Sequence, residues 1–207
     1  MDPRLVIALK RELVWNCWVA QGAWFRLRKM KRATEIPGAV PGVDNTLANV
    51  DPFLDWSTEG WAQVHALLGA TAAISRILFP GPKAKAVTRQ RAADLLQELK
   101  LPPLPELERR DARNAYEHLE NYGPEWLEWA LIAFPGRPLM GWQIGDGNPF
   151  GPKQVLPEEC FRYLDQVKWT LRVAKEAPLD LKQLMVAVEL LARSIKVDHR
   201  FDVGVPP

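Results

Sequence analysis

Residues 3–32 read PRLVIALKRELVWNCWVAQGAWFRLRKMKR, and this segment sets the expectation for the whole chain. It opens with Pro3 directly after Asp2, a residue type that caps helix N-termini, and no further proline occurs before Pro37. Its apolar residues lie on more than one helical face, so a single neighbour could not cover them all. We therefore expect a long helix at the centre of a bundle or at a contact between subunits.

The rest of the chain also shows mainly helical patterns, separated by clusters of proline and glycine. Dense turn formers predict long loops over residues 36–57 and 135–156, the second with one short extended piece over Leu139–Ile144. No series of strands is indicated, and the predicted fold is therefore all-α: a single domain over residues 1–207, arranged as an up-and-down helical bundle. The further helices are predicted over about Thr58–Phe79, Thr88–Lys100, Pro105–Tyr122, Pro157–Glu176 and Leu179–Lys196, with Ser57 or Thr58 capping the first and Thr88 capping the second. Gly123-Pro124 either ends the helix over Pro105–Tyr122 or bends it into a continuation over Trp126–Phe134.

The composition excludes several classes of protein. With 207 residues, of which 47% are hydrophobic, the chain is long enough for one well-formed core and is not expected to be disordered. Its 27 Lys and Arg against 25 Asp and Glu give a net charge of +2, so any site for a polyanion must be local. Cys17 and Cys160 are too few for a disulfide framework or a zinc site, and no signal pattern or membrane-spanning apolar run is seen. We therefore expect a cytoplasmic protein that does not associate with membranes.

The residues best suited to chemistry lie in the segment 112–122, which reads ARNAYEHLENY. Cleaving RNA without a metal requires a base for the 2′-hydroxyl proton, an acid for the 5′-oxygen and a fixed cation for the charge on phosphorus. His118 can act as the base or the acid, and Arg113 offers a planar fork of donors for phosphate oxygens. Asn114 and Glu117 lie one helical turn from His118 and Arg113 respectively, where they can orient these two groups.

The spacing of Arg113 and His118 places a condition on any shared site. On a straight helix these residues are about 140° apart, so they do not lie on one face. A single site then needs Arg113 to reach around, a distorted turn, or two copies of the helix that meet across a dimer.

The pair Arg113-Asn114, followed after four intervening residues by His118, resembles the Arg-x(4–6)-His signature of the HEPN (higher eukaryotes and prokaryotes nucleotide-binding) superfamily. The resemblance extends from His65 to Trp129, and this segment is similar to an uncharacterised bacterial HEPN-like group. It implies an all-helical, dimeric, metal-independent endoribonuclease, with RNA as the substrate, no metal or other cofactor, and a role as a toxin or defence RNase. The flanking residues that carry it are Ile74, Ser75, Phe79 and Pro80, then the basic residues Lys83, Lys85, Arg89 and Arg91.

The residues after His118 depart from that pattern. An aromatic residue and an acidic pair are expected there, whereas this chain has Leu119-Glu120-Asn121-Tyr122. The His-x-Tyr ending of toxins that are paired with nucleotidyltransferase antitoxins is also absent, because position 120 is Glu. That partnership is therefore in doubt, and an antitoxin of another kind or a different protein partner is left open.

Two basic clusters are candidates for binding the RNA backbone. The alternative for the first cluster is that its cations only complement the negative end of the helix dipole in solvent. Nine tryptophans suggest base stacking, but most fall within predicted helices, where core or interface packing accounts for them. The candidate RNA-binding residues are Arg26, Arg28, Lys29, Lys31 and Arg32, then Lys83, Lys85, Arg89 and Arg91.

Other interpretations stay open beside the nuclease. Arg193 and His199 also satisfy the loose spacing, although Arg193 is not followed by Asn. Residues 113 and 117 alone could form an ordinary surface ion pair, and the chain could be a noncatalytic helical module that binds nucleotide, RNA or a protein. His65 and Ser75 are secondary site candidates, although His65 is more readily interpreted as a hydrogen-bonded core histidine. The segment 145–148 resembles part of a calcium loop but lacks the closing Glu, so we assign no metal.

Overall fold

The computed structural model describes residues 2–29, 52–109, 114, 119–137, 139–145 and 157–195. Within these residues the chain is mostly helical, as expected, and it also contains a small sheet. The helices are α1 (Pro3–Lys29), α2 (Pro52–Leu78), α3 (Ala86–Leu99), α4 (Pro105–Glu108), α5 (Leu119–Ala133) and α6 (Leu181–Ser194), with a 3-10 turn over Pro157–Glu159. The strands are β1 (Met140–Gly145), β2 (Cys160–Asp165), β3 (Thr170–Val173) and β4 (Leu179–Asp180).

Helix α1 begins as its sequence predicts. The Asp2 carboxylate accepts a hydrogen bond from the Arg4 backbone N–H at 2.8 Å, which confirms Asp2 as the N-cap and Pro3 as the first helical residue. One face of α1 is buried through Leu13, Cys17 and Leu27, and it packs mainly against α2 and also against α6. The long helix therefore occupies a central position.

Several helix boundaries differ from the prediction. Helix α5 continues through Gly123 and Pro124, so these residues do not end the helix. Helix α2 begins at Pro52 rather than Thr58, so the loop predicted over 36–57 ends earlier. Helix α3 begins at Ala86, and Lys85 rather than Thr88 occupies its N-cap, without a side-chain hydrogen bond. The continuous helix predicted over 105–122 is wrong, because α4 ends at Glu108 and the next residue is extended.

The helix predicted over Pro157–Glu176 is also wrong, because these residues form the 3-10 turn and strands β2 and β3. The Asp165 carboxylate accepts the backbone N–H groups of Val167 and Lys168 at 2.9 and 2.8 Å, which closes the turn between the strands. Trp169 follows with a φ of 59° and leads into β3. The all-α expectation is therefore corrected: the helices pack with a four-stranded sheet.

The sheet has the order β1-β2-β3-β4, in which β1 and β2 are parallel and the other pairs are antiparallel. Strand β1 covers nearly the residues of the extended piece predicted over Leu139–Ile144, which confirms that expectation. Asp180, the last residue of β4, caps α6: its carboxylate accepts the N–H groups of Lys182 and Gln183 at 2.8 and 3.0 Å.

One cluster of buried apolar residues connects the helices and the sheet. It includes Leu13 from α1, Leu67 from α2, Leu164 from β2 and Val188 from α6, each at most 1% exposed. This packing leaves the opposite face of α1 in solvent. In the described part of the chain, the helices are all too short or too polar to cross a membrane.

Candidate nucleic-acid interface

The predicted catalytic residues Arg113, Glu117 and His118 lie outside the described residues. Of the predicted set, Asn114 is described: its backbone is helical and its side chain is exposed. The distance between Arg113 and His118 is therefore not part of the observed geometry, and their pairing stays a prediction.

The chain that leads into the motif is held by its last described residue. The Arg109 guanidinium donates to the backbone carbonyls of Ala177 and Pro178 at 2.7 and 3.2 Å. These bonds join the end of α4 to the loop before β4, and Leu107 beside it is fully buried. The extended backbone of Arg109 accounts for the end of α4 within the predicted helix.

The cations at the C-terminal end of α1 are exposed. Arg26, Arg28 and Lys29 all lie on the surface, which leaves their charged groups accessible to a polyanion. Arg28 lies over the Trp24 ring at 5.8 Å from its centroid, and Lys29 lies over the Phe25 ring at 5.6 Å. The remaining members of this predicted cluster, Lys31 and Arg32, lie outside the described residues.

The second basic cluster does not act as a uniform track. Lys83 and Lys85 are exposed, whereas Arg91 is half-buried. The Arg89 guanidinium donates to the carbonyls of Pro82 and Ala84 at 3.0 and 2.6 Å, so part of its hydrogen-bonding capacity stabilises the turn before α3. Of this cluster, the two lysines best fit the prediction of phosphate binding.

The secondary candidates are not brought together. His65 is exposed on α2, so its interpretation as a core histidine is wrong, whereas Ser75 is buried. Ten residues separate them on one helix, which corresponds to about 15 Å along its axis. Arg193 of the alternative motif is exposed and pairs with Glu189 at 3.5 Å, while His199 lies outside the described residues.

The sequence interpretation missed an exposed aromatic face on α1. Trp15 and Trp18, interpreted as packing residues, are 61% and 63% exposed, and Phe25 on the same helix is 62% exposed. A groove of about 290 Å³ runs beside the two tryptophans, with Arg26 on its α1 side and Gln63 and Ala66 on its α2 side. The signal in the sequence is that the two tryptophans share a helical face with Arg11, Arg26 and Lys29.

Two buried polar groups are explained by structure rather than chemistry. Glu159 is fully buried and accepts a hydrogen bond from Arg137 at 3.0 Å, which joins the turn after α5 to the start of β2. Burial raises the pKa of the Cys17 thiol to about 12, so this cysteine is not a nucleophile near neutral pH. In the part of the chain that is described, no three metal-ligating side chains lie together.

Comparisons with known proteins add no relative. No family model matches the chain, and neither the curated proteins nor the solved structures give a significant match. The HEPN resemblance therefore depends on the motif and the residues that flank it.

Proposed function

We propose that the chain is a metal-independent endoribonuclease of the HEPN type that acts as a homodimer in the cytoplasm. The observation that carries the proposal is the Arg113-Asn114 pair followed by His118. Two features of the structure support it: Asn114 is exposed on a helical backbone, and exposed cations on α1 and before α3 can hold an RNA backbone.

The proposed chemistry assigns one role to each side chain. One His118 imidazole takes the proton from the 2′-hydroxyl, whose oxygen attacks phosphorus, and protonated imidazole returns a proton to the departing 5′-oxygen. Arg113 stabilises the charge that develops on the phosphate oxygens, while Asn114 orients the imidazole or the substrate and Glu117 holds Arg113. The products are a 2′,3′-cyclic phosphate and a 5′-hydroxyl.

We propose a two-fold arrangement because, of the three ways to form a shared site, a dimer needs neither a distorted turn nor a long reach by Arg113. Because these residues point away from each other on a straight helix, Arg113 of one copy and His118 of another can meet at one phosphate. Dimerisation is then required for activity. An antitoxin or another protein partner would restrain such an RNase in the cell.

The test is cleavage of a defined RNA by purified protein in EDTA. The parent should generate 2′,3′-cyclic phosphate ends, and His118→Ala and Arg113→Ala should each lose at least about 100-fold in rate. The variants His199→Ala and Arg193→Ala are matched controls, because they alter the second Arg and His pair and should cut like the parent. Intact RNA with the parent protein, or unchanged cutting by His118→Ala, would refute the proposal.

A second function is favoured by the exposed aromatic and basic face of α1, which needs no catalytic motif. In this alternative the chain is a noncatalytic module that binds RNA. Expression distinguishes the two, because an active RNase should slow growth and Arg113→Ala should relieve that effect. A binding module would give equal growth with the parent and the variant.

A further inference from the structure

We propose that the outward face of α1 binds single-stranded RNA, with bases stacked on Trp15 and Trp18 and phosphates held by Arg26 and Lys29. The inference rests on the proposed function only in taking RNA as the ligand. It concerns a surface distant in sequence from Arg113 and His118, and it applies equally if the chain does not cut RNA.

The aromatic part of this surface is unusual because tryptophan is the largest apolar side chain and normally packs inward. Both Trp15 and Trp18 are more than 60% exposed, although α1 has a well-covered opposite face through Leu13 and Cys17. The two residues are three apart, about 4.5 Å along the helix axis, and they therefore lie on the same side of α1. Exposed aromatic groups of this kind stack with unpaired bases regardless of base identity.

The same face of α1 carries mainly positive charge, which favours a polyanion as its partner. On α1 there are six Lys or Arg residues and one acidic residue, Glu12. Arg11, Arg26 and Lys29 lie within about 80° of the two tryptophans on the helical wheel, so cations flank the aromatic surface at both ends. Glu12, the one acidic residue of α1, accepts a hydrogen bond from the Asn16 amide at 2.9 Å.

The groove beside the rings provides space for a base. Gly22 lines it, and an added Cβ there would meet nothing within 4 Å among the described atoms. On the α2 side, the Gln63 amide lines the groove and donates to Glu59 at 2.5 Å. An extended polynucleotide fits this combination of aromatic rings, open space and cations.

The same observations disfavour a second copy of this chain as the occupant. Two copies that met through this face would bring the cations of one α1 against those of the other, and only Glu12 of each helix would offset them. A polyanion instead gains from every cation on the face. We therefore assign the groove to RNA and not to the dimer contact.

The binding test uses the full chain carrying His118→Ala, so that the probe is not cut, and a fluorescein-labelled oligouridylate of about 12 nucleotides. Fluorescence anisotropy should show that Trp18→Ala weakens binding by about 5- to 100-fold. Trp18→Phe should retain most of the affinity, because it preserves an aromatic ring. Ile132→Ala, a control at another exposed apolar residue that is 83% exposed, should leave the affinity unchanged.

A second variant adds a side chain to the groove. Gly22→Leu should weaken binding to the same probe by at least about 5-fold, because the added side chain occupies the space beside Trp18. A duplex RNA of the same length should bind at least about 10-fold more weakly than the single strand, since paired bases cannot stack on the rings.

The inference is overturned if Trp18→Ala and Gly22→Leu bind the oligonucleotide like the parent. It is also overturned if Trp18→Ala converts a dimer to a monomer with unchanged RNA affinity, which would identify the face as a protein contact. A failure of the proposed function can be distinguished from a failure of this inference. If the parent protein does not cut RNA but Trp18→Ala still weakens binding, the nuclease proposal fails and the inference stands.

Discussion

Replacing Trp126 by alanine should lower the stability of the fold, whereas replacing Trp18 by alanine should weaken RNA binding with little loss of stability. Trp126 is 5% exposed and contacts Phe161 edge to face at 5.6 Å, which joins α5 to β2. Removing a buried tryptophan side chain costs about 3–5 kcal/mol, which for a chain of this length lowers the midpoint of thermal unfolding by about 6–20 °C. Trp18 is 63% exposed, so its replacement should cost less than about 1 kcal/mol.

The assay is thermal unfolding followed by far-UV circular dichroism, with the parent and both variants at equal concentration. Trp126→Phe is the control, because it retains a ring against Phe161 and should cost less than the alanine variant. It also removes a buried indole N–H for which the described residues provide no acceptor. If Trp18→Ala lowered the midpoint as far as Trp126→Ala, Trp18 would be a packing residue and the reasoning about the α1 face would fail.

Three further predictions concern the cap of α6, the Cys17 thiol and the cations of α1. Asp180→Ala should lower the free energy of unfolding by about 1 kcal/mol in urea titrations. Asp180→Asn retains an acceptor for the two N–H groups and should cost only a few tenths of a kcal/mol. Equal losses in the two variants would contradict the capping role. Since burial raises the pKa of Cys17 from 9.0 to about 12, the unfolded chain releases this proton first, and stability should fall between about pH 9 and pH 12. Cys17→Ala should reduce that fall by about 1 kcal/mol at pH 10, and an identical pH dependence in parent and variant would show that the thiol titrates alike in both states. Arg26→Ala should reduce the slope of log affinity against log salt by about 0.7 for single-stranded RNA. Lys182→Ala, an exposed control on α6, should leave the slope unchanged. Equal slopes for the parent and both variants would exclude a phosphate contact at Arg26.

The local signals in the sequence predicted some elements well. Asp2 and Pro3 fixed the start of α1 because a cap and a first-turn proline act on neighbouring backbone atoms. The segment over 157–176 was predicted wrongly for the opposite reason. Strand β2 is buried on both faces, so it lacks the alternation of apolar and polar residues that distinguishes a strand from a helix. Whether this segment forms a strand depends on its pairing with β1 and β3, which are distant signals. The turn at Asp165 between β2 and β3 also resembles a helical cap in sequence.

The sequence likewise predicted one part of the candidate RNA-binding surface and missed another. The exposure of Arg26, Arg28 and Lys29 followed from their charge and their place at a helix end. That Trp15 and Trp18 would be exposed did not follow, because α1 is apolar on several faces and the position of α2 decides which one is covered. Cations at the same angle on the helix were the one local indication that this face stays in solvent.

The most direct test of the central claim mixes two inactive proteins, Arg113→Ala and His118→Ala, and allows their subunits to exchange before RNA is added in EDTA. If one copy supplies Arg113 and its partner supplies His118, each mixed dimer contains one intact site. Random exchange should then restore about a quarter of the parent rate. A mixture that exchanges subunits yet remains as inactive as either variant alone would contradict a shared site formed by two copies of the chain.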